Sequence, residues 1–407
     1  MNPAGPAQPT TAAAASPVSA RLLSLDAYRG FIMVCLAFGG FGLAGTARNH
    51  LKADPDSSFW KTIEWFWEHG EWVGCSFWDL IMPAFTFMVG MAMAYSYLRR
   101  QREGHSTARM FRHACTRALI LIALAIFLTT GDGKETRWIF TNVLAQIGLG
   151  YPLLFLCWNR GFRVQAIAAA VALGATWIAF VAYGGTDALG PGVTTEWAAR
   201  NQADLAVAWH KNVNVFHVFD TWFLNLFPAS KPFVFNEGGY QTLNFIPNLA
   251  TMIFGLMAGE WLRSAADSAR KLRALLLAGV ALLVAGYGLN ALGIIPAVKR
   301  IWTPSFGLLS TGWCVLMLAF FYWAVEVRGW TRWTQFFVIA GANSIALYCL
   351  GQLMKGWVGA VWRAHVGQKF FQLAGPLWEP TIRGIVVGFT LWAVCWWLWR
   401  RKIFLRI

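Results

Sequence analysis

The feature that most constrains this chain is a series of long apolar segments, each about as long as a bilayer is thick. A helix needs roughly 20 mostly apolar residues to cross the hydrocarbon core of a membrane. The sequence therefore predicts an all-α fold, a polytopic membrane helix bundle of about ten transmembrane helices. The predicted spans lie at about 24–46, 74–98, 110–130, 138–158, 163–184, 244–264, 271–293, 302–327, 333–354 and 381–402.

Composition supports a lipid environment. The 407 residues are 57% hydrophobic and only 13% charged, whereas soluble domains are about a quarter charged. The net charge of +15 would fit a nucleic-acid-binding protein if the basic residues formed a patch. They instead form short clusters between apolar segments, where Lys and Arg set membrane orientation. We therefore expect no nucleic-acid partner.

The positive-inside rule predicts the orientation of the bundle. With the N-terminus inside, the short inside loops and ends carry 19 of the 34 Lys and Arg residues. This bias predicts N-in/C-in topology in the cell inner (cytoplasmic) membrane. Residues 1–20 are predicted to be a disordered cytoplasmic tail, and 21–407 a single transmembrane domain with large outside loops at 47–73 and 185–243. Segment 355–366 either continues the ninth span or lies at the membrane interface.

Other general features restrict the chemistry. The seven cysteines show neither a pairing pattern nor a metal-ligand spacing, so we predict no disulfide framework and no metal site. The absence of an internal repeat disfavours a transporter. The outside loop 185–243 is rich in amides and aromatics, which is typical of a sugar site, although the same residues could simply cap and fold the loop. Its candidate substrate-binding residues, with the first residues of the next helix, are Asn236, Glu237, Tyr240, Gln241 and Asn244.

Ionisable residues near the helix ends are the first candidates for function, because charges in a membrane are costly. Asp26 and Arg29 lie at i and i+3 on one face of the first helix. They form either a structural ion pair or an anion site for phosphates entering from the cytoplasm. A buried Asp79 near the loop residue His69 would orient its imidazole; the alternative is a solvated histidine and an aspartate that caps a helix.

Polar residues within the predicted helices form a second group. Asn142 and Gln146 lie at i and i+4 in the fourth predicted helix, and Asn343 and Ser344 lie in the ninth. Hydrogen bonding between helices is the usual role of such side chains.

Several segments, in order from residue 24 to the C-terminus, resemble one enzyme family. The matching stretches include the pattern HxxWxG followed by DLxxPxFxFxxG, which is more specific than the opening SLDxxRG. Together they resemble heparan-α-glucosaminide N-acetyltransferase and its bacterial relatives. The segments are SLDAYRG at 24–30, HGEWVG at 69–74, DLIMPAFTFMVG at 79–90, NVLAQIG at 142–148, GANSI at 341–345 and RKIFLRI at 401–407.

The resemblance implies a membrane acyltransferase that takes acetyl from cytoplasmic acetyl-CoA and delivers it to a sugar amino or hydroxyl group outside. His69 matches the active histidine and would be a general base or an acetyl carrier. Asp79 would orient its ring and Trp72 would form a wall of the site. The residues expected to bind acetyl-CoA are Asp26, Arg29, Gln146, Asn343 and Ser344.

The expected partners are membrane lipid, acetyl-CoA and an extracytoplasmic sugar or glycan, and a homodimer is compatible with the sequence. The animal enzyme has an Asn and an Arg where this chain has Gly40 and Gln146, so the acceptor is not carried over. The alternative function is a non-catalytic transporter or flippase of an envelope glycan or lipid precursor. Binding of CoA to the purified protein would discriminate between the two.

Overall fold

A computed structural model describes residues 22–405 except 132, 134 and 187. The predicted tail, residues 1–20, and the last two residues lie outside the described part. The described chain is helical. The helices are α1 Leu23–Ala37, α2 Leu43–Ala53, α3 Ser58–Trp67, α4 Ile81–Arg102, α5 Thr107–Thr130, α6 Val143–Cys157, α7 Phe162–Tyr183, α8 Thr195–Asn201, α9 Val215–Phe223, α10 Phe245–Leu262, α11 Ser268–Ala291, α12 Pro304–Tyr322, α13 Thr334–Ala342, α14 Ser344–Val366 and α15 Glu379–Arg400.

The predicted membrane bundle is confirmed, and the helix count is close to the prediction. Among the described residues, seven helices are long and apolar enough to span a membrane: α4, α5, α7, α10, α11, α12 and α15. Two bent pairs, α1 with α2 and α13 with α14, raise this number to nine. The remaining predicted span, the fourth at 138–158, corresponds to α6, which is apolar but has only 15 residues.

The ninth predicted span differs from the structure in where it is interrupted. The chain breaks at Asn343, and α13 and α14 meet there at 78°. Segment 355–366 is the second half of α14 rather than a separate interfacial helix. Hydropathy does not detect the break, because the residues on both sides of it are mostly apolar.

Helices α4, α10 and α12 form the centre of the bundle, and α5, α7, α11 and α15 surround them with largely exposed faces. Two glycines allow α4 and α10 to pack closely. A Cβ at Gly90 would lie 1.9 Å from the Met252 carbonyl oxygen, and one at Gly255 would lie 1.9 Å from that of Phe87. Small residues at such contacts allow backbones to approach in membrane bundles.

The two large predicted loops are folded. Segment 47–73 contains the end of α2 and all of α3, and segment 185–243 contains α8 and α9. We call residues 185–241 the cap. Its aromatic residues Trp209 and Phe216 pack with Trp72 and with Val298 of the α11–α12 connection. The amide-rich composition thus partly reflects capping, since Asn214 accepts a hydrogen bond from the His217 amide at the start of α9.

The two ends of the bundle carry different groups. At one end the Ser24 amide donates to Glu326 in the segment after α12. Nearby, Asn343 donates to the Ile403 carbonyl and accepts from the Leu405 amide. The start of α1 therefore lies at the same end of the bundle as residues 403–405. We call this the Asp26 end and the opposite one the His69 end.

Candidate functional site

His69 and Asp79 are in contact, as the sequence suggested. The distance from His69 Nδ1 to Asp79 Oδ1 is 2.8 Å. His69 follows α3, and Asp79 lies in the single 3-10 turn that leads into α4. A hydrogen bond of 2.7 Å from the Ser76 hydroxyl to the Glu68 carbonyl holds the intervening loop closed. The ten-residue spacing in sequence therefore becomes a direct contact.

The Asp79 carboxylate is buried and has many donors around it. Its side chain is 1% exposed. Oδ2 accepts from the Gly70 amide at 3.2 Å and from the amide and hydroxyl of Ser76, both at 3.1 Å. A buried charge is tolerated only when it is paired and hydrogen-bonded. Asp79 thus fixes both the loop backbone and the imidazole of His69.

Lys299 is the third member of the site, and the sequence motifs did not predict it. Its Nζ lies 2.9 Å from His69 Nδ1 and 3.2 Å from Asp79 Oδ1, and its side chain is 8% exposed. The short connection between α11 and α12 carries it. This connection is held against the His69 loop by a bridge between Val73 and Val298 and by a 2.8 Å hydrogen bond from the Gly74 amide to Ala297.

One sequence signal could have identified Lys299. It stands with Arg300 in a short loop that the positive-inside rule places outside, where basic residues are disfavoured. Arg300 also connects three parts of the site. It donates to the carbonyls of Gly238 and Gly70, and its guanidinium lies over the Tyr240 ring. Basic residues in a loop that the positive-inside rule predicts to be outside therefore indicate a functional site here.

The geometry favours one tautomer of His69. A carboxylate can only accept hydrogen bonds, so the proton in the contact between Nδ1 and Asp79 belongs to His69. The ammonium of Lys299 then donates to the same carboxylate. Its contact with Nδ1 is an interaction of charges and not a hydrogen bond. Nε2 consequently keeps a lone pair. This is the tautomer that a general base requires.

The protonation state of His69 agrees with this role. Burial lowers the pKa of His69 below its usual value of 6.5, the charges of Lys299 and Arg300 lower it further, and the contact with Asp79 opposes these effects. The imidazole is therefore neutral at neutral pH. Asp79 holds the ring without converting it to an imidazolium.

A cavity of about 360 Å³ lies beside His69. We call it the His69 cavity. Its walls are mainly apolar, with a few polar side chains facing into it, which is the usual make-up of a small-molecule site. It runs along the first turns of α4 and reaches α14. Its lining includes His69, Trp78, Phe85, Asn142, Tyr240, Lys299, Tyr348 and Gln352.

Trp72 has a different position from the one expected. It is 2% exposed and lies under the cap, where its indole donates to the Trp209 carbonyl at 3.0 Å and packs against Trp197. Trp78 and Tyr240 form the aromatic wall of the His69 cavity instead. Trp72 thus anchors the cap to the loop that carries His69.

The five candidate substrate-binding residues are close in the chain, but their side chains have different environments. Tyr240 lines the His69 cavity, and Glu237 is exposed. Asn236 accepts from the Tyr240 amide, and Asn244 donates to the Arg300 carbonyl. Gln241 is buried at 2% exposure. The loop thus contributes one residue directly to the cavity, while Asn236 and Asn244 hold that residue and Arg300 in place.

The candidate acetyl-CoA residues are divided between the two ends of the bundle. Asp26 and Arg29 form the expected ion pair at 3.0 Å. A Cβ on Gly341 would lie 2.6 Å from the Asp26 carbonyl oxygen, so Asn343 and Ser344 belong to the same end. Gln146 lies elsewhere: it is fully buried and donates to the carbonyls of Phe140 and Thr242, near the His69 cavity.

Among the described residues, no cluster of His, Cys, Asp or Glu could hold a metal ion.

Comparison with known proteins identifies distant relatives. No family model matches the chain. The chain is similar to heparan-alpha-glucosaminide N-acetyltransferase of Mus musculus, with 22% identity over 433 residues, and to the Homo sapiens protein of the same name, with 22% identity over 431 residues. Both alignments cover 95% of this chain and 60% of the relative. The chain therefore spans well under two thirds of the length of these relatives.

Proposed function

We propose that this multi-pass membrane protein is an acyltransferase that moves an acetyl group from acetyl-CoA to an amino or hydroxyl group of a sugar. The observation that carries the proposal is the contact of His69 with Asp79 and Lys299 at the mouth of the His69 cavity. The relatives are named as acetyltransferases that act on a glucosaminide. The activity in the name of these relatives and the base-competent histidine point to the same reaction class.

The residues of the site suggest the roles they would take. His69 Nε2 would accept the proton of the sugar amine or hydroxyl as the new bond to the acetyl carbon forms and the thioester C–S bond breaks. The proton would then pass to the departing thiolate. A positioned base contributes roughly 10²–10⁴-fold to a rate. In the variant of this mechanism, Nε2 attacks the thioester first and the C–S bond breaks with the CoA thiolate as leaving group. The acceptor then attacks the acetyl carbon, the bond to Nε2 breaks, and the freed imidazole takes the acceptor's proton.

Acetyl-CoA is the substrate that supplies the activated acetyl group. The His69 cavity suits its narrow amide-containing arm, because its lining combines the rings of Phe85 and Tyr348 with the amide groups of Asn142 and Gln352. Arg29 at the opposite end offers a guanidinium beside Asp26, and guanidinium groups bind phosphates well. We propose the Asp26 end for the nucleotide and the His69 end for acetyl transfer.

The proposal is tested with purified protein in detergent. His69→Ala should abolish release of CoA from labelled acetyl-CoA in the presence of glucosamine, whereas His365→Ala, which changes an exposed histidine at the end of α14, should behave as wild type. Equal turnover in the two variants would refute the role of His69. Binding of acetyl-CoA without turnover in wild type would instead favour a non-catalytic function.

A trapping experiment separates the two mechanisms. Acid quenching of wild type with labelled acetyl-CoA and no acceptor should leave label on the protein only if acetyl is carried covalently. The label should then be absent from His69→Ala. Rapid turnover with no trapped label would support direct transfer with His69 as general base.

A further inference from the structure

A second and larger cavity lies behind Trp78. It has a volume of about 600 Å³ and is separated from the His69 cavity by this residue, which lines both. We call it the cation cavity, because four basic side chains line it: Arg48, Lys355, Arg363 and Arg383. Glu68 is the one acidic residue among its described lining residues.

Several glycines line the cation cavity together with these four basic residues. Gly42 and Gly45 come from the bent connection after α1 and from α2, and Gly356 and Gly359 come from α14. Gly42 and Gly45 let the chain pack closely against Pro380, whereas a Cβ at Gly356 would have nothing within 4 Å, so the wall leaves room there for a ligand to lie against the backbone. The aromatic ring of Trp67 closes one side. The volume is much larger than a bare inorganic anion needs.

The charges around the cation cavity are not balanced. Arg48 pairs with Glu68 and lies 3.9 Å from Glu64. Arg363 and Arg383 share one carboxylate, that of Glu379, each at 3.5 Å. Two guanidinium groups on one carboxylate leave one positive charge without an acidic partner.

With Lys355, the four cations face three carboxylates, those of Glu64, Glu68 and Glu379, which leaves one positive charge in excess. Lys355 lies deeper than the three arginines. It is in the middle of α14, eight residues before Arg363, which corresponds to about 12 Å along the helix. Its ammonium is 3.4 Å from the Leu36 carbonyl, and no carboxylate of the described residues lies within 4 Å of it. A cation inside a membrane bundle is costly unless it is paired, and usually marks a site.

We propose that the cation cavity is an oxyanion-binding site that takes the phosphate of a second ligand, with Lys355 at its floor and Arg363 and Arg383 at its mouth. Guanidinium and ammonium groups together suit phosphate, because they provide several charge-assisted hydrogen bonds. The phosphate belongs either to a free organic phosphate or to the head group of an anionic lipid. This site is independent of the chemistry assigned to His69.

The test measures thermal unfolding of the full chain in detergent. A ligand that binds the folded state raises the unfolding temperature, and the rise grows with the logarithm of ligand concentration over Kd. Glucose 6-phosphate is compared with glucose, and phosphatidylglycerol with phosphatidylcholine. We expect at least one phosphate probe to stabilise wild type more than its neutral counterpart, and the gain to shrink in high salt because screening weakens charge pairs. Which probe stabilises identifies the source of the phosphate.

Variants locate the binding. Lys355→Met and, separately, Arg363→Gln should each weaken the apparent Kd by about tenfold or more, since each removes a charge-assisted contact. Lys369→Met removes an exposed charge outside the cavity and should leave the Kd unchanged. Arg363→Gln keeps the Arg383–Glu379 pair, so it remains informative if Lys355→Met does not fold. The proposal is overturned if neither phosphate probe stabilises wild type, or if both cavity variants respond as Lys369→Met does.

Discussion

At the scale of single residues, burial is the main cause that lowers the pKa of His69, and the nearby charge of Lys299 lowers it further. The ammonium of Lys299 is 2.9 Å from His69 Nδ1. A base must be neutral to act, so wild-type activity should be flat at neutral pH and fall only when the pH drops below 6.5 through the lowered pKa. Lys299→Met removes the nearby positive charge, so the pKa of His69 rises and the acid limb moves to higher pH.

The measurement is the ratio of turnover at pH 6 to turnover at pH 8, which does not depend on how much active protein each preparation contains. Lys299→Arg keeps the charge and should keep the wild-type ratio. An unchanged ratio in Lys299→Met, with reduced turnover at all pH values, would show that Lys299 acts only through structure. Loss of one partner of a buried ion pair costs about 3–5 kcal/mol, so folding is checked alongside.

Asp79 makes a second prediction at this scale. In Asp79→Asn, an amide NH₂ facing His69 would require Nδ1 to accept, which moves the imidazole proton to Nε2 and removes the base. We expect turnover to fall by about 10²–10⁴-fold, as for loss of a general base, while KM for acetyl-CoA changes little. Asp54→Asn alters an exposed aspartate after α2 and serves as the control. A variant with near-normal turnover would contradict the proposed tautomer.

The sequence predicted the His69–Asp79 pair but not its third member. The pair stands in a motif and is separated by ten residues, so local chain geometry is enough to join it. Lys299 is 230 residues away from His69 and meets it only because the Val73–Val298 bridge brings two loops together. The cavity-lining role expected of Trp72 fails for a similar reason: a buried indole needs a partner for its N–H, and the Trp209 carbonyl in the cap supplies it.

At the scale of helices, hydropathy predicted where the chain crosses the membrane but not where it bends. The bend between α1 and α2 is formed by four consecutive residues with positive φ, from Gly39 to Gly42. The break between α13 and α14 is at Asn343, whose side chain bonds to the C-terminal segment. The second bend depends on contacts between distant segments, which an apolar segment does not encode.

The bend at Gly42 makes a stability prediction. Its φ is +66°, and a Cβ there would lie 2.0 Å from the Pro380 carbonyl oxygen. Gly42→Ala should therefore lower the unfolding temperature through both backbone strain, about 1–2 kcal/mol, and a clash with α15. Gly184→Ala has a similar left-handed conformation, with φ +72° and ψ −16°, and nothing lies within 4 Å of its Cβ, so it measures strain alone. Equal destabilisation of the two variants would show that the contact with Pro380 is unimportant.

At the scale of the whole molecule, the bundle separates two groups of polar residues that the sequence had placed on opposite sides of the membrane. Asp26, Arg29 and Asn343 lie at one end, and His69, Asp79 and Lys299 at the other. The distribution of Lys and Arg predicts that the Asp26 end faces the cytoplasm. If the proposed acyl transfer is correct, this separation has a vectorial consequence: the acetyl donor and the acceptor are used from different sides.

Sealed vesicles test this consequence. Right-side-out vesicles carrying the protein are loaded with labelled acetyl-CoA, and glucosamine conjugated to a membrane-impermeant polymer is added outside. Labelled acetyl should appear on the external polymer with wild type and with Asp54→Asn, and not with His69→Ala, because the thioester reaches the His69 end only through the bundle. Detergent should not raise the wild-type rate greatly, since both substrates already reach their own ends. If label appears only after detergent permits mixing, both substrates use one side, and the assignment of the Asp26 end to the nucleotide is wrong while His69 can still be the base.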